Sequence, residues 1–459
     1  MIGRFNILKI ETVLILMGIG LLLLYFVIYP VVSFDSGYYM STMREMHQGN
    51  IYFKDIASPY NPLAISILSI PFFFSDFPDF RWSLFLNISF IIGSGFILYH
   101  ILSHFKIPRI LQTFLALFFI ILCFTHDGNH IMLEPISVFF QLCALYLYIQ
   151  HRAGSSFNKL FFIGIFLGLS FLTKQYALFL LAPIGIDILL RRKDILKHIA
   201  IIGVGLIFPI FILFIYYYFN DMPVGVFIKN ILGKGVNLDI GTGTGIGSPF
   251  KLSYLISFLL ANAFVVMIPF LIKRSQSNTP DLVFYTLLAA SSFSVFLFAA
   301  YSHYFQYTFP YVLIVFAYAA SSVPDITKNR IFQILCLIAL IKIGLLTAST
   351  VKHQRRNFKQ QAHTLQVIKT HIPSGSRVYL SGPSPAYYYL GNFKSIQLDR
   401  IGFSFPGYFY PESIISAMEK NDYLAISEAY IQSFESFKSD FIRKKITLKD
   451  THFYLYQKK

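Results

Sequence analysis

What most limits the fold of this chain is a recurrence of apolar runs, each long enough to cross a bilayer. A helix needs about twenty largely apolar residues to traverse the hydrocarbon core. On that criterion spans are expected at 12–32, 83–104, 108–125, 131–150, 159–173, 175–190, 198–219, 252–272, 282–300, 304–323 and 331–350, about eleven in all. The run 63–74 is shorter, and Pro71 and the stretch Asp76-Phe77-Pro78-Asp79 end it, so it is assigned to the interface. Composition agrees, because 55% hydrophobic and 13% charged residues do not make a water-soluble globule of 459 residues. The expected class is a polytopic α-helical membrane protein. Cys123, Cys143 and Cys336 all fall inside apolar runs, where a thiol behaves as a small hydrophobe, so no disulfide framework is expected.

The net charge of +16 could suggest nucleic acid, but Lys and Arg lie in short clusters between apolar runs and in the tail, with no nucleic-acid-binding module around them. With a cytoplasmic N-terminus, the cytoplasmic connections hold Arg4 and Lys9, Lys106 and Arg109, Arg152 and Lys159, Arg191 to Lys197, Lys273 and Arg274, then Lys328 and Arg330. The opposite turns, Thr125 to His130 and Ala300 to His303, carry no Lys or Arg, which is the asymmetry the positive-inside rule requires. Counting 63–74 as a span would invert every later loop. An odd number of spans places the residues from 351 onward outside the cytoplasm.

Two domains are therefore expected, a membrane domain over 1–350, with a first outer loop at 33–82 and a flexible outer loop at 220–250, and an extracytoplasmic domain over 351–459. In the second, Arg377 to Leu380, Tyr423 to Ile426 and His452 to Tyr456 read as strands, with helical stretches around 361–371, 411–420 and 430–444, so a small α/β domain is predicted. Ser381-Gly382-Pro383-Ser384-Pro385 follows its first strand without the glycine spacing of a dinucleotide-binding turn. The first apolar run is not followed by a signal-cleavage pattern and reads as an uncleaved anchor.

Ionisable residues at membrane depth cost about 2.5 to 3.5 kcal/mol each, so those that persist usually face a cavity or a polar partner. Several collect at the outward helix ends: Asp35 after the first span, His126, Asp127, His130 and Glu134 around the start of the fourth, Lys174 between the fifth and sixth, and His303 before the tenth. Each alone is equally readable as a solvated turn residue, and their common side argues for a shared cleft. A carboxylate where a helix leaves the bilayer can serve one substrate held in lipid and another arriving from water. His126, His130 and Glu134 recur every four residues and would share a helical face suited to a metal, but Asp127-Gly128-Asn129 reads as a turn and no further ligand completes a site, so no metal or other cofactor is expected. Between Asp35 and Pro62, Tyr38, Tyr39, Met40, Met43 and Met46 offer an apolar face and Arg44, Glu45 and His47 a polar one, as in a helix lying along headgroups. The glycine-dense loop Gly233 to Gly247 lacks the order of a phosphate-binding loop and reads as a flexible flap or a plain loop, in which Lys229 and Lys234 could meet phosphates or anionic lipid.

Asp35-Ser36-Gly37-Tyr38-Tyr39, then Gly49-Asn50-Ile51-Tyr52, Asp55 and Pro59-Tyr60-Asn61-Pro62, resemble the first outer loop of the GT-C glycosyltransferases, nearest the dolichyl-phosphate-mannose-protein mannosyltransferase and aminoarabinose transferase group. Leu133-Glu134-Pro135, the stretch from Gly164 to Leu172-Thr173-Lys174-Gln175, and His303-Tyr304-Phe305 leading to Pro310 extend the resemblance along the chain. It implies sugar transfer, generally with inversion, from a polyprenyl-phosphate carrier to an acceptor in the cell envelope, which could be lipid, glycan or protein. It also implies that Asp35 is the catalytic carboxylate; around it Lys174, Gln175, His303 and Tyr304 are candidates for the donor-phosphate site or the cavity, and Asp55, Tyr60, Asp127 and Glu134 for the acceptor site or the cavity. A carboxylate can accept the acceptor's hydroxyl proton as it attacks, and Lys174 and His303 can meet the departing lipid phosphate. Ser36 stands where the group more often has a second carboxylate, which weakens a shared metal. The rival reading is a membrane transporter or lipid flippase, for which repeated halves and helices broken near mid-bilayer would be expected; neither is evident in the sequence.

Overall fold

The computed structural model describes residues 20, 23–56, 58, 60–154, 157–191, 194–233, 252–274, 279–295, 302–323, 326–381, 386–396, 416–427, 441–447 and 452–459. Most of the expected first span and the glycine-dense loop from Lys234 onward lie outside these residues. The chain is an α-helical membrane protein. Among the described residues, four helices are long and apolar enough to span a bilayer: Arg81–Leu102, Arg109–Gly128, Ile195–Tyr218 and Arg330–Lys369. The shorter apolar helices Phe157–Thr173 and Phe305–Ala320 pack beside them, as does Glu134–Ala153.

Two expected spans differ in form. Residues 252–272 are not one helix but two, bent by 85° at Asn262, whose side chain bonds back to Phe258 O (2.9 Å). The expected span 175–190 starts as a 3-10 turn, Gln175–Leu180, before the helix Leu181–Arg191. Residues 63–74 form a seven-residue helix, Pro62–Leu68, and a 3-10 turn, Ile70–Phe73. At 1.5 Å per residue that helix is about 10 Å long, far short of a bilayer core.

Glycine sets the closest helix approach. A Cβ on Gly164 would lie 2.1 Å from Ile202 O, one on Gly168 2.4 Å from Leu206 O, and one on Gly205 2.2 Å from Phe161 O. Backbones meet here as in small-residue membrane packing, and the contact fixes the helix that ends at Thr173, immediately before Lys174. Buried Ser137 and Ser170 hydrogen-bond across the neighbouring pair (2.9 Å), tying the same helix to Glu134–Ala153.

At the other end of these helices, four charges close a ring. Asp187 receives Arg152 Nε (3.3 Å) and Arg191 Nε (2.7 Å), while Asp281 receives Nη2 of both arginines. Tyr148 donates its hydroxyl to Asp187 Oδ2 (2.8 Å).

The helix expected to end at 350 continues unbroken to Lys369, so the predicted helix 361–371 is its last part and the expected boundary at 350/351 falls within one element. Beyond it lies a five-stranded mixed sheet: β1 (Arg377–Ser381), β2 (Lys394–Ser395), β3 (Tyr423–Ser427), β4 (Phe441–Thr447) and β5 (His452–Lys458), in the order β2-β1-β3-β5-β4. Strand β1 pairs in parallel with β2 and β3, and β5 runs antiparallel to β3 and β4. Residues 441–444, expected to be helical, belong to β4; of the expected helix 411–420, residues 416–417 are helical and 418–420 are not, while 411–415 and 430–440 lie outside the described residues. A small core of its own, including Ile368, Val378, Leu380, Tyr388, Phe393 and Leu455, sits under this sheet.

Candidate active site

Asp35 occupies the first turn of the helix Phe34–His47. Ser33 caps that helix, its Oγ accepting from Ser36 N (3.1 Å). Ser36 itself is spent on structure: its Oγ lies 3.2 Å from Ile131 O and accepts from Ile131 N (3.1 Å). Ser36 therefore pins the first loop to the segment before Glu134.

This helix is not the two-faced surface element expected. Every residue from Ser36 to Glu45 is buried, including Arg44 and Glu45, because the C-terminal unit covers the supposed polar face. Arg44 donates to Tyr388 O (3.2 Å) and Phe393 O (2.5 Å), and Tyr389 stacks on Phe77 (centroids 4.6 Å apart) while donating its hydroxyl to Pro78 O.

The charged residues of the remaining helix ends meet beside Asp35. Lys174 and Glu134, both almost fully buried, form an ion pair. His303 lies between two carboxylates, Nδ1 3.5 Å from Asp127 and Nε2 3.7 Å from Glu134. The Lys174 ammonium also stands 4.5 Å from the ring centre of Tyr304 and 5.8 Å from that of Tyr60. Glu134 Oε2 is buried and accepts no hydrogen bond among the described residues. Asp35 is half-buried in the field of His303, Lys174, Glu134 and Asp127; burial pushes its carboxyl above the ordinary range, and the two cationic groups pull against that shift.

Local backbone explains how Asp127 reaches His303. The helix from Arg109 ends in a π-turn over Phe124–Gly128, with Asp127 at φ +66°, a left-handed conformation that Asp tolerates better than most residues. Gly128 is required there, since a Cβ would lie 2.5 Å from Cys123 O. The same turn separates the histidines: His126 Nδ1 bonds to Leu122 O (2.9 Å) and His130 Nδ1 to Val31 O (3.2 Å), so the face suggested by four-residue spacing is not formed. Among the described residues no group of three or more His, Cys, Asp or Glu is arranged to hold a metal.

Two candidates stand apart from the charged cluster. Asp55 is exposed and its carboxylate accepts from Ile51 N (2.7 Å), closing its own turn. Gln175 donates to Asn61 Oδ1 (3.3 Å), and Asn61 in turn donates to Phe171 O (2.6 Å), so this pair joins the first loop to the helix that delivers Lys174. Sequence reasoning passed over Gln354 and Gln361, which reach the backbone just before Asp35. Their seven-residue spacing, centred on Phe358, was the available signal.

Residues 65–217 match the model of the dolichyl-phosphate-mannose-protein mannosyltransferase family, a stretch that holds Asp127, Glu134 and Lys174 but not Asp35. ArnT from Cupriavidus metallidurans in the apo state superposes with a TM-score of 0.67 at 11% identity, over 97% of this chain and 98% of that one. The chain has the GT-C fold. ArnT bound to undecaprenyl phosphate matches this GT-C chain with a TM-score of 0.63 at 12% identity over the same shares. The Archaeoglobus fulgidus oligosaccharyltransferase AglB, in complex with an inhibitory peptide and a dolichol-phosphate, matches with a TM-score of 0.52 at 11% identity, over 91% of this chain and 69% of that one. No curated protein sequence matches the chain. The expected resemblance to the mannosyltransferase and aminoarabinose transferase group is thus met by both family model and fold.

Proposed function

We propose that this protein is a polyprenyl-phosphate-sugar-dependent glycosyltransferase of the cell envelope, moving a hexosyl or pentosyl group to a lipid, glycan or protein acceptor with inversion. The observation that carries the proposal is the gathering of Asp35, Asp127, Glu134, Lys174 and His303, from five separate segments of a GT-C fold, into one half-open cluster. Asp35 is the general base. It takes the acceptor's hydroxyl proton as the oxygen attacks the anomeric carbon, and the raised affinity for a proton that burial gives it suits that task. The bond from the anomeric carbon to the phosphate oxygen breaks, and the lipid phosphate leaves with the electron pair. Lys174 and His303 meet the charge that develops there, so the step uses no bound metal.

In this reading Glu134 orients Lys174, Asp127 orients His303, and Tyr60, Tyr304 and Gln175 shape the pocket. Asp55 shapes the acceptor side at a distance, through its turn. The cluster faces outside the cytoplasm, the N-terminus lies inside, and the chain crosses the membrane about eleven times, in keeping with the basic clusters at the opposite helix ends. Residues 1–350 form the catalytic domain and 351–459 an extracytoplasmic α/β domain, joined by the forty-residue helix. The partners are the polyprenyl-linked donor, membrane lipid and the envelope acceptor, with no nucleic acid.

The test is transfer by the purified protein from a panel of undecaprenyl-phosphate-linked sugars to an envelope lipid extract, read as release of free undecaprenyl phosphate. Release that persists in a chelator is expected. Transfer from a nucleotide sugar with no polyprenyl lipid present would refute the donor assignment, and a bright cytoplasm-only reporter fused after Lys459 would refute the orientation.

A further inference from the structure

Proteins that hold a catalytic carboxylate on a short helix must also fix the backbone that feeds it, and here that backbone is awkward. The helical residues 23–28 end at Tyr29, and Pro30 follows, so the carbonyls at this end have no partner further along the same helix. In the non-helical stretch that follows, three carbonyls are met by side chains from elsewhere. Gln354 donates to Tyr29 O (2.9 Å), His130 Nδ1 stands 3.2 Å from Val31 O, and Gln361 donates to Val32 O (2.8 Å). Gln361 also accepts from Val32 N (3.1 Å), so its amide closes a two-bond ring on the residue immediately before the Ser33 cap.

Both glutamines project from one face of the forty-residue helix. Between them Phe358 meets Tyr29 edge-on (5.8 Å) and Arg355 lies 5.8 Å from the same ring, and just before Gln354 Val351 O accepts the hydroxyl of Tyr25 (3.0 Å). Gln354 is buried and in addition accepts from Asn129 (2.9 Å), a residue of the turn that presents Asp127. One helix thus touches the two segments that carry Asp35 and Asp127.

We infer that Gln361, with Gln354 behind it, is a positioning residue of the transferase: the two-bond ring on Val32 sets the height and rotation of the first turn of the Asp35 helix. Two residues, Ser33 and Phe34, separate Val32 from Asp35, and on the far side Ser36 is pinned to Ile131. The carboxylate is consequently held between two fixed points, both made by hydrogen bonds within the protein. This inference rests on Asp35 being the base. It adds that the segment beyond residue 350, outside the region the family model matches, is part of how that base is aimed.

The experiment uses the purified full-length protein and the undecaprenyl-phosphate-linked sugar that wild type consumes. Gln361→Met keeps volume and loses both bonds; Gln361→Glu keeps the acceptor for Val32 N and loses the donor to Val32 O. Expected for Gln361→Met is a fall in kcat of at least about tenfold with donor KM within about twofold, since misplacing a reacting group slows the step without removing binding contacts. Gln361→Glu should fall between it and wild type. Hydrogen exchange should quicken in a peptide covering 29–37 and hold elsewhere, a readout independent of turnover. Unchanged kcat, a rise in KM alone, or variants that fail to accumulate folded would each overturn the inference, the last by making the ring a folding element. An active Asp35→Asn protein would instead remove the reading beneath it, while the exchange measurement would still report whether Gln361 holds the segment.

Discussion

Two charge clusters among the described residues lie at opposite ends of the helix Glu134–Ala153 and are built on opposite principles. Glu134 opens and Arg152 nearly closes one helix, about 27 Å apart at 1.5 Å per residue. Around Arg152 two guanidiniums face two carboxylates and every charge is met, with Tyr148 completing Asp187. Around Glu134 three carboxylates, including Asp35 and Asp127, face one ammonium and one imidazole, and Glu134 keeps an oxygen without a hydrogen bond among the described residues. A cluster that only clamps helices is stable when saturated, because a buried charge left unpaired is costly. A cluster that must receive a substrate's charge and protons has to leave valence open. The contrast separates clamp from site without reference to any relative.

The largest effect should come from breaking the closed ring. Asp187→Asn leaves two guanidiniums sharing Asp281, and loss of one partner of a buried pair costs about 3 to 5 kcal/mol. A marked drop in the melting temperature in detergent is expected, with turnover per folded molecule near that of wild type. Normal melting would show the ring to be ornamental. Asp35→Asn should do the reverse. It removes the base while keeping size and hydrogen bonding, so transfer should fall at least about a hundredfold, equivalent to about 2.7 kcal/mol, with melting unchanged. Near-normal turnover would exclude Asp35 from the catalytic role.

Lys174→Met lies between these two cases, because Lys174 belongs to the open cluster yet is paired. It should weaken use of the lipid-linked donor by about tenfold or more, and acceptor binding much less, since a charge-assisted bond contributes most where negative charge develops. Equal losses for donor and acceptor would mean that Lys174 serves only to neutralise Glu134.

Much of the open cluster is legible in the sequence because charge at a membrane helix end is conspicuous: Asp35, Asp127, Glu134, Lys174 and His303 interrupt apolar runs on one predicted side. What misleads is whatever depends on tertiary cover. Arg44 and Glu45 read as a solvated face, yet the short helix Ala386–Leu390, distant in sequence, packs against that face. His126 and His130 read as helical neighbours until the π-turn at Asp127 redirects them. Asp55 carries the same chemistry as the others but closes a local turn, which spacing cannot reveal. The forty-residue helix exceeds its apolar run because hydropathy marks where lipid ends, not where the helix does, and past Thr350 the polar stripe of Gln354 and Gln361 continues the same helical face.

The smallest effect expected is also the most selective probe of the open cluster. Asp35 must be ionised to act as base, so the rate should fall as pH drops through its pKa, and burial places that acid limb above the ordinary aspartate value of 3.8. His303 and Lys174 lower the pKa, whereas Glu134 and Asp127 raise it. Asp127→Asn removes one raising charge and retains a residue that accepts left-handed backbone. The acid limb of kcat/KM should therefore move down in pH, and only slightly, because the Asp127 side chain is 40% exposed and solvent screens it. A profile extended on the acid side would fit Asp35 as the base in this field. An acid limb that stays fixed or moves up would mean that the group titrating there is not Asp35 in the field of this cluster.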